Sequence, residues 1–505
     1  MKMHLVSEYA RLLSKEGMLA QACTGADPEI RYLTYDSRAV VPGTMFICKG
    51  AAFKEQYLKD ALEKGAVCYA SEKAYEAGAG TSCLLVKDIR RAMPVLAEAY
   101  TNEAWRKLHL IGIGGTKGKS TTAYYMKAIV DDYMEATGGR ESGVISSIDT
   151  YDGVRRFESH ITTPESVELM EHFLNAEQSG ITYMEMEVSS QALKYDRVDR
   201  VQFEVGMFLN ISEDHISPIE HPDFEDYFAS KLRIFAQTKN AVVNLDADYA
   251  DRILREAQVC ERVMTFSVKD PSADVYGYDV RKEGQEISFR VRTAEFDEAF
   301  RLTMPGLFNV ENALAAVAGA ILLGIPREYM HSGLLRAKSS GRMETYVSKD
   351  GKIICVVDYA HNKLSFEKLF GSTKEEYPEH GIVAIFGCPG KKALLRRKDL
   401  GTISGRYSRK VYLCAEDPGA EPVDEISRDI AQYVEAEHCP YEMIEDRGEA
   451  IHAAVREAAG LPEGSVLLIT GKGNETRQKY GSQYLDCRSD VDYVLEALAA
   501  YDAAH

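Results

Sequence analysis

No run in this chain approaches the roughly 20 consecutive apolar residues that span a bilayer, so no membrane insertion is expected. Across residues 1–20 the apolar positions are interrupted by Glu8, Arg11, Lys15 and Glu16, which leaves no signal-peptide core and predicts a cytoplasmic protein. Positive charge is also short. Against 78 Asp and Glu stand 60 Lys and Arg, and the net charge of -18 repels nucleic acid and anionic membrane surfaces. An anionic substrate therefore needs a local cationic site. The ten cysteines contain no C-x-x-C pair, which argues against a zinc ribbon or a disulfide framework and for reduced thiols. Internal repeats are absent, and low complexity is confined to a mildly Ala-rich end at 497–504.

What is present is a long, ordinary globular composition: 505 residues, 45% apolar and 27% charged. Single cores stop growing near roughly 250 residues, so two or three domains are expected. Residues 1–107 mix short apolar runs (44–48, 66–70) with helical stretches such as 53–64 and read as a small α/β unit. At 108–113 a run apolar but for His109 ends in glycines and is followed by a helical pattern over 121–134. Comparable runs recur at 183–188, 205–211, 241–245, 353–357, 382–386, 411–414 and 466–470, the pattern of buried parallel strands. An alternating pair, 286–292 and 300–304, precedes a helix at 310–323 and predicts an exposed antiparallel hairpin. The fold class is thus α/β, with domains at 1–107, 108–335 and 336–505. In doubly wound sheets ligands bind beyond the carboxyl ends of the strands, which directs attention to the residues after each run.

The first such segment is Gly112-Ile113-Gly114-Gly115-Thr116-Lys117-Gly118-Lys119-Ser120, between strand and helix. Backbone N–H groups at such a junction cradle phosphates, with Lys119 suited to the β/γ-phosphates and the Ser120 hydroxyl to Mg²⁺. The generic phosphate-loop spacing fails by one residue, since Ile113 stands where the first glycine belongs. A kinase, a GTPase or a ligase could use this loop.

The Gly-Thr-Lys-Gly-Lys-Ser run resembles the variant loop shared by Mur ligases and folylpolyglutamate synthases. Further segments look like Mur ligase motifs in order: Asp36-Ser37-Arg38, Thr162-Thr163-Pro164-Glu165, Met186-Glu187-Val188-Ser189-Ser190, Leu209 to His215, Phe308-Asn309-Val310-Glu311-Asn312, Gly341-Arg342-Met343-Glu344, Asp358-Tyr359-Ala360-His361 and Gly471-Lys472-Gly473-Asn474-Glu475. The resemblance covers nearly the whole chain and is greatest to the tripeptide synthetase branch, MurE. It implies a three-domain architecture with a central P-loop ATPase and a Rossmann-like C-terminal domain, and a monomer. The substrates implied are UDP-MurNAc-L-Ala-D-Glu, ATP and an amino acid.

By resemblance, Gly115 to Thr121 (including Thr116, Lys117 and Gly118), Asn309, Asn312, Arg342 and Asp358 bind ATP. Lys119, Glu187, His215 and Lys231 are catalytic, with Ser120, Glu187, His215 and a carbamylated Lys231 as metal contacts. Ser37, Thr162, Thr163, Ser189 and Arg197 hold the nucleotide peptide, and Gly471 and Glu475 the amino acid. The chemistry implied is an acyl phosphate on the D-Glu carboxylate, displaced by an amine; it needs charge neutralisation and positioning and no Ser-His-Asp triad.

Three positions depart from the common pattern and resemble a lysine-adding branch: Gln191 after Ser-Ser, Gly387-Cys388-Pro389-Gly390-Lys391-Lys392, and Asn474. Enzymes adding meso-diaminopimelate carry Asp-Asn-Pro-Arg where this chain has Glu416-Asp417-Pro418-Gly419, so no arginine awaits a second carboxylate. Glu416, Asp417 and Glu421 suit an ammonium group, which favours L-lysine over meso-diaminopimelate, with ornithine also open. Folylpolyglutamate synthase is the nearest rival enzyme, and the Ser-Ser-Gln, Asp-Tyr-Ala-His and Asp-Ser-Arg segments speak against it. A non-catalytic nucleotide-binding regulator would be expected to have lost Lys119, Glu187 or Lys231, and all three are present.

Overall fold

The computed structural model describes residues 4–505 apart from 24, 51–52, 160, 215, 218–219, 284–285, 339–340, 392–393, 462 and the side chain of residue 23. Three sheets carry the fold. The first is five-stranded, in the order Leu19–Cys23, Ser82–Val86, Ala66–Ser71, Thr44–Ile47, Tyr32–Thr34, and is parallel except at its first pairing. One face closes a small core of its own with Phe46, Leu58, Ala61 and Tyr69, and the other does not. Leu84, Leu96 and Trp105 share one buried cluster with Met170, Phe173, Met184 and Phe203 of the following unit.

The second sheet has eleven strands, and its centre runs Gly143–Ile145, Tyr183–Glu187, His109–Gly114, Phe203–Phe208, Thr238–Asn244, Arg262–Ser267 and Val275–Glu283, all parallel. Both flanks are antiparallel. The continuous apolar runs of the sequence lie in this centre because both faces are covered. Leu110 joins the cluster on one face while Ile111 and Ile113 join Met126, Ile129 and Leu314 on the other. Each fully buried aliphatic side chain contributes about 1.5–3 kcal/mol, which fixes the strand before its polar loop begins. The hairpin expected at the edge is present as Glu286–Arg292 and Asp297–Leu302. Its second strand starts earlier than the apolar alternation suggests, because Thr293 N–H donates to the Phe296 carbonyl (2.8 Å) and closes the turn there.

The third sheet runs Glu344–Val347, Ile353–Asp358, Ser465–Thr470, Gly381–Phe386, Lys410–Leu413, Tyr441–Met443 and is parallel after its first pairing. Val356, Ala384 and Leu468 pack against Phe366, Leu369 and Ile430 on one face, and Cys355, Ile385 and Leu467 against Ile451 and Leu498 on the other. Among the described residues eight cysteines carry free thiols, whereas Cys83 is disulfide-bonded, so the expectation of reduced thiols fails at that residue. Among the described residues no helix is long and apolar enough to cross a membrane.

Candidate active site

The strand His109–Gly114 lies between Tyr183–Glu187 and Phe203–Phe208, so three carboxyl ends converge at one point. There the phosphate loop is held open from below. Thr116 N–H and Lys117 N–H both donate to the Asn210 side-chain oxygen (3.1 and 2.9 Å), and the Asn210 amide donates back to the Lys117 carbonyl (3.0 Å). Gly118, with φ +83°, immediately precedes the helix Lys119–Thr137, and a Cβ there would lie 2.2 Å from the Asn312 Oδ1. The loop thus exposes its backbone at a helix N-terminus, the arrangement that favours phosphate. Lys119 curls back, donating to the Gly115 and Thr116 carbonyls (3.1 Å each), and Lys231 donates to the Gly115 carbonyl (2.7 Å).

Beside the loop, Ser120 Oγ lies 3.1 Å from Ser147 Oγ, whose N–H and hydroxyl reach Glu187 Oε1 (2.8 and 3.2 Å). Arg342, from the third sheet's unit, donates to both serine hydroxyls (3.3 Å each) and stacks over Tyr359 (4.4 Å). Asp358 accepts from the N–H groups of Met343 (2.9 Å) and Ala360 (2.7 Å); burial pushes its carboxyl up, against the pull of Arg342. Three lysines crowd the loop. Burial pushes Lys117 down to about 8, lowers Lys119, and lowers Lys231 strongly, with the neighbouring Lys119 adding to the last. Asp214 answers part of this charge: it lies 3.5 Å from Lys117, 2.9 Å from Arg396 and accepts from Asn362 (2.6 Å).

These groups enclose a cavity of about 270 Å³. One end is lined by Thr116 to Thr121, Thr162, Glu187 and Arg342; the other by Phe308, Asn312, Ser365, Lys368 and Leu369. A cationic end joined to one where Phe308 and Leu369 offer apolar faces beside Asn312, Ser365 and Lys368 fits a nucleoside triphosphate. For a divalent ion, the Ser120 hydroxyl and the Glu187 carboxylate are hard oxygen donors on the same wall. That suits Mg²⁺, which takes its remaining oxygens from phosphates and water. Among the described residues no three His, Cys, Asp or Glu side chains form a metal cluster. His215 and Lys392 lie outside the described residues.

The structure separates the other candidates into two further groups. Thr163 is fully buried; its hydroxyl donates to the Glu187 carbonyl (2.9 Å) and accepts from Ser189 N–H (3.0 Å), so it braces the turn that follows Glu187. Ser189 caps the short helix Ser190–Lys194. Arg197 pairs with Glu165 (3.0 Å) at a second cavity of about 280 Å³, where Lys49 (2.6 Å from Glu165) and Arg90 add positive charge. Ser37 lines neither cavity; its carbonyl accepts from Lys64. Asn309 is buried behind Asn312, bonding Pro305 and Asn312.

In the acidic loop, Asp417 is taken by Lys472 (3.0 Å) and Lys479 N–H (2.9 Å), and Glu421 by Arg397 (2.8 Å). Glu475 pairs with Lys472 (2.7 Å) and accepts from the Tyr359 hydroxyl, one contact from the main cavity. Glu416 differs: it is 8% exposed, its Oε2 has no hydrogen-bond partner among the described residues, and burial pushes its carboxyl up to about 7. Gly471 makes room for it, since a Cβ there would lie 2.2 Å from that oxygen. Sequence reasoning missed Ser147, Asn210 as a loop brace, Asp214, Arg396 and the Ser365–Leu369 wall. The only signal for Ser147 is the three-residue strand Gly143–Ile145 before it.

Comparison with known proteins agrees with this geometry. A model of the Mur ligase middle domain matches residues 113–320, and one of the Mur ligase glutamate ligase domain matches 341–473. The chain is 37% identical over 474 residues to the UDP-N-acetylmuramoyl-L-alanyl-D-glutamate--L-lysine ligase of Enterococcus faecalis (92% of this chain, 91% of the relative). It is 34% identical over 458 residues to the corresponding 2,6-diaminopimelate ligase of Clostridioides difficile (90% and 92%). Among solved structures it shares the fold of MurF from Acinetobacter baumannii, with TM-score 0.67, 18% identity and full coverage of both chains. On the phosphate loop, the residues set around it and these matches, the chain belongs to the Mur ligase family.

Proposed function

We propose that this chain is an ATP-dependent ligase that joins L-lysine to the D-Glu γ-carboxylate of UDP-MurNAc-L-Ala-D-Glu in peptidoglycan synthesis, acting as a cytoplasmic monomer of three domains, 1–107, 108–335 and 336–505. The observation that carries it is the cavity between the phosphate loop and the Asp358–His361 turn, with Glu187, Ser120 and Arg342 on one wall. The substrate carboxylate attacks the γ-phosphorus; the new O–P bond forms as the bond to ADP breaks. The amine of the amino acid then attacks the acyl carbon, and phosphate leaves from the tetrahedral intermediate. Both steps spread negative charge over oxygens, and Lys117, Lys119 and Arg342 are fixed cations that lower its energy.

Ser120 and Glu187 would hold Mg²⁺, which when bound neutralises phosphate charge. Lys231 suits carbamylation because burial favours its neutral amine, the form that adds CO₂. Arg197, Lys49 and Arg90 supply the local positive charge needed for the anionic nucleotide peptide.

For the amino acid, identity does not decide, since relatives named for lysine and for diaminopimelate are similarly distant. Glu416 favours lysine. With Asp417 and Glu421 engaged elsewhere, it offers a buried carboxylate oxygen to an ammonium group, whereas a second substrate carboxylate would meet like charge. The test is phosphate release from Mg-ATP and UDP-MurNAc-L-Ala-D-Glu with L-lysine, L-ornithine or meso-diaminopimelate. Release requiring L-lysine supports the whole reading; preference for meso-diaminopimelate keeps the ligase and discards the role of Glu416. Without release from any amine the ligase reading fails.

A further inference from the structure

The apolar end of the main cavity is built from two units. Phe308 comes from the turn before the helix Asn309–Leu322 of the second sheet's unit, and Leu369 from the helix Lys363–Glu376 of the third. The last residue of that second helix, Glu376, points away from the cavity yet is tied to its far wall. Its side chain is 1% exposed. Its Oε1 accepts from Leu307 N–H (3.0 Å) and its Oε2 from Gly306 N–H (3.4 Å), while Ser372 Oγ bonds both Leu307 N–H (2.8 Å) and Glu376 Oε1 (2.5 Å). Lys282, from the strand Val275–Glu283 of the large sheet, lies 3.7 Å from Oε2 and over the Tyr377 ring (3.3 Å).

The turn so held has no slack. Gly306 has φ +94°, and a Cβ on it would press within 2.8 Å of the Phe308 ring. Beyond it, Asn309 bonds the Pro305 carbonyl, Asn312 bonds Asn309, and Asn312 packs on Gly118 of the phosphate loop. The helix Lys363–Glu376 lines the cavity about two to three turns before Glu376 with Ser365, Lys368 and Leu369, and Lys368 pairs with Glu311 (2.9 Å). A buried carboxylate on backbone N–H groups is a costly and therefore specific tie, because loss of the acceptor strands the Gly306 N–H and leaves Leu307 N–H to Ser372 Oγ alone.

We propose that Glu376 is a positioning residue for the base of the nucleotide: it fixes the 305–308 turn so that Phe308 and Leu369 form the two walls of a slot for a flat purine. The base subsite is then assembled only where the helix Lys363–Glu376 is seated on that turn. The phosphate end is built on Asn210 and the loop backbone and meets that turn only through Asn312 beside Gly118, so it is affected far less. This inference rests on the reading of the cavity as an ATP site.

The experiment compares the full-length wild-type chain with Glu376→Gln and Glu376→Ala. It measures binding of ADP by titration calorimetry and inhibition of ligation by inorganic tripolyphosphate, which has the phosphates without the base. Glu376→Gln keeps the shape and buried volume but sets an amide NH₂ against one of the N–H donors, so it serves if the alanine variant does not fold. Expected are at least tenfold weaker ADP binding and a raised KM for ATP, with tripolyphosphate inhibition and the KM for the nucleotide peptide within twofold of wild type. Unchanged ADP binding in a folded variant overturns the proposal, as does an equal loss of ADP and tripolyphosphate binding, which marks Glu376 as a general fastener of the two units. A wild-type chain that neither binds ADP nor turns over ATP would instead refute the ATP reading itself.

Discussion

At Glu416 a single side chain ties specificity to pH. Burial raises its carboxyl to about 7, opposed by Arg447, Lys472 and Arg396. Below that value the group is neutral and offers nothing to an ammonium; above it the carboxylate does. The KM for L-lysine is therefore expected to rise roughly tenfold per pH unit below 7, a slope absent in Glu416→Gln, where KM is high throughout. Stability carries the opposite sign. An unfolded glutamate loses its proton near pH 4.5 while the folded one keeps it to about 7, so Glu416 withdraws stability as pH rises across that window, and Glu416→Gln should melt higher than wild type at pH 8. Parallel pH series of initial rates and melting curves check both; a flat lysine KM across pH 6–8 removes Glu416 from recognition. Lys231 gives a second test. Its replacement by alanine should reduce turnover on the order of 10²-fold or more, with partial recovery in acetate or formate if a carboxylate is what the position supplies. No recovery at any concentration of either acid sinks the carbamate.

The phosphate loop and its helix act as an element, and Gly118 is where they are least tolerant. An alanine there meets a left-handed backbone, costing roughly 1–2 kcal/mol, and collides with the Asn312 Oδ1. Gly118→Ala should weaken ADP binding at least tenfold while lowering the melting temperature by only a few degrees, measured by calorimetry and thermal unfolding; wild-type affinity would show that the loop adapts. This element was readable in advance because a buried parallel strand is a continuous apolar run and its loop follows in sequence. Glu187 was readable for the same reason, at the end of its own run. Ser147 was not, since three apolar residues make no periodic signal, although its N–H and hydroxyl hold Glu187 in place. Asn210 stood inside a motif, but that its side chain caps two loop N–H groups is a contact across 93 or 94 residues. The acidic loop was read as three equal charges; Lys472 and Arg397, brought in from 55 and 24 residues away, leave one.

Across the whole molecule, chemistry requires two sheets to present their carboxyl ends to one another, and Asp214 is the clearest link between them. It belongs to the unit of the phosphate loop, its side chain is 4% exposed, and it faces Lys117 from its own side and Arg396 and Asn362 from the other. Arg396 sits on the helix Leu395–Tyr407, so this ion pair spans the cleft at the loop that grips phosphate. Removing one partner of a buried pair strands the other, at about 3–5 kcal/mol when nothing compensates and less here, where Lys117 and Asn362 remain. That energy belongs to the closed arrangement, because opening the cleft lets water reach Asp214. Arg396→Ala should therefore leave ADP affinity within about threefold, since the loop and Lys119 are untouched, but lower kcat at least tenfold by making closure rarer. Small-angle scattering should show wild type contracting with a non-hydrolysable ATP analogue and nucleotide peptide, and the variant contracting less. If kcat and the scattering change both match wild type, Arg342 on Ser120 and Ser147 suffices to hold the units together, and the Asp214 link is dispensable for closure.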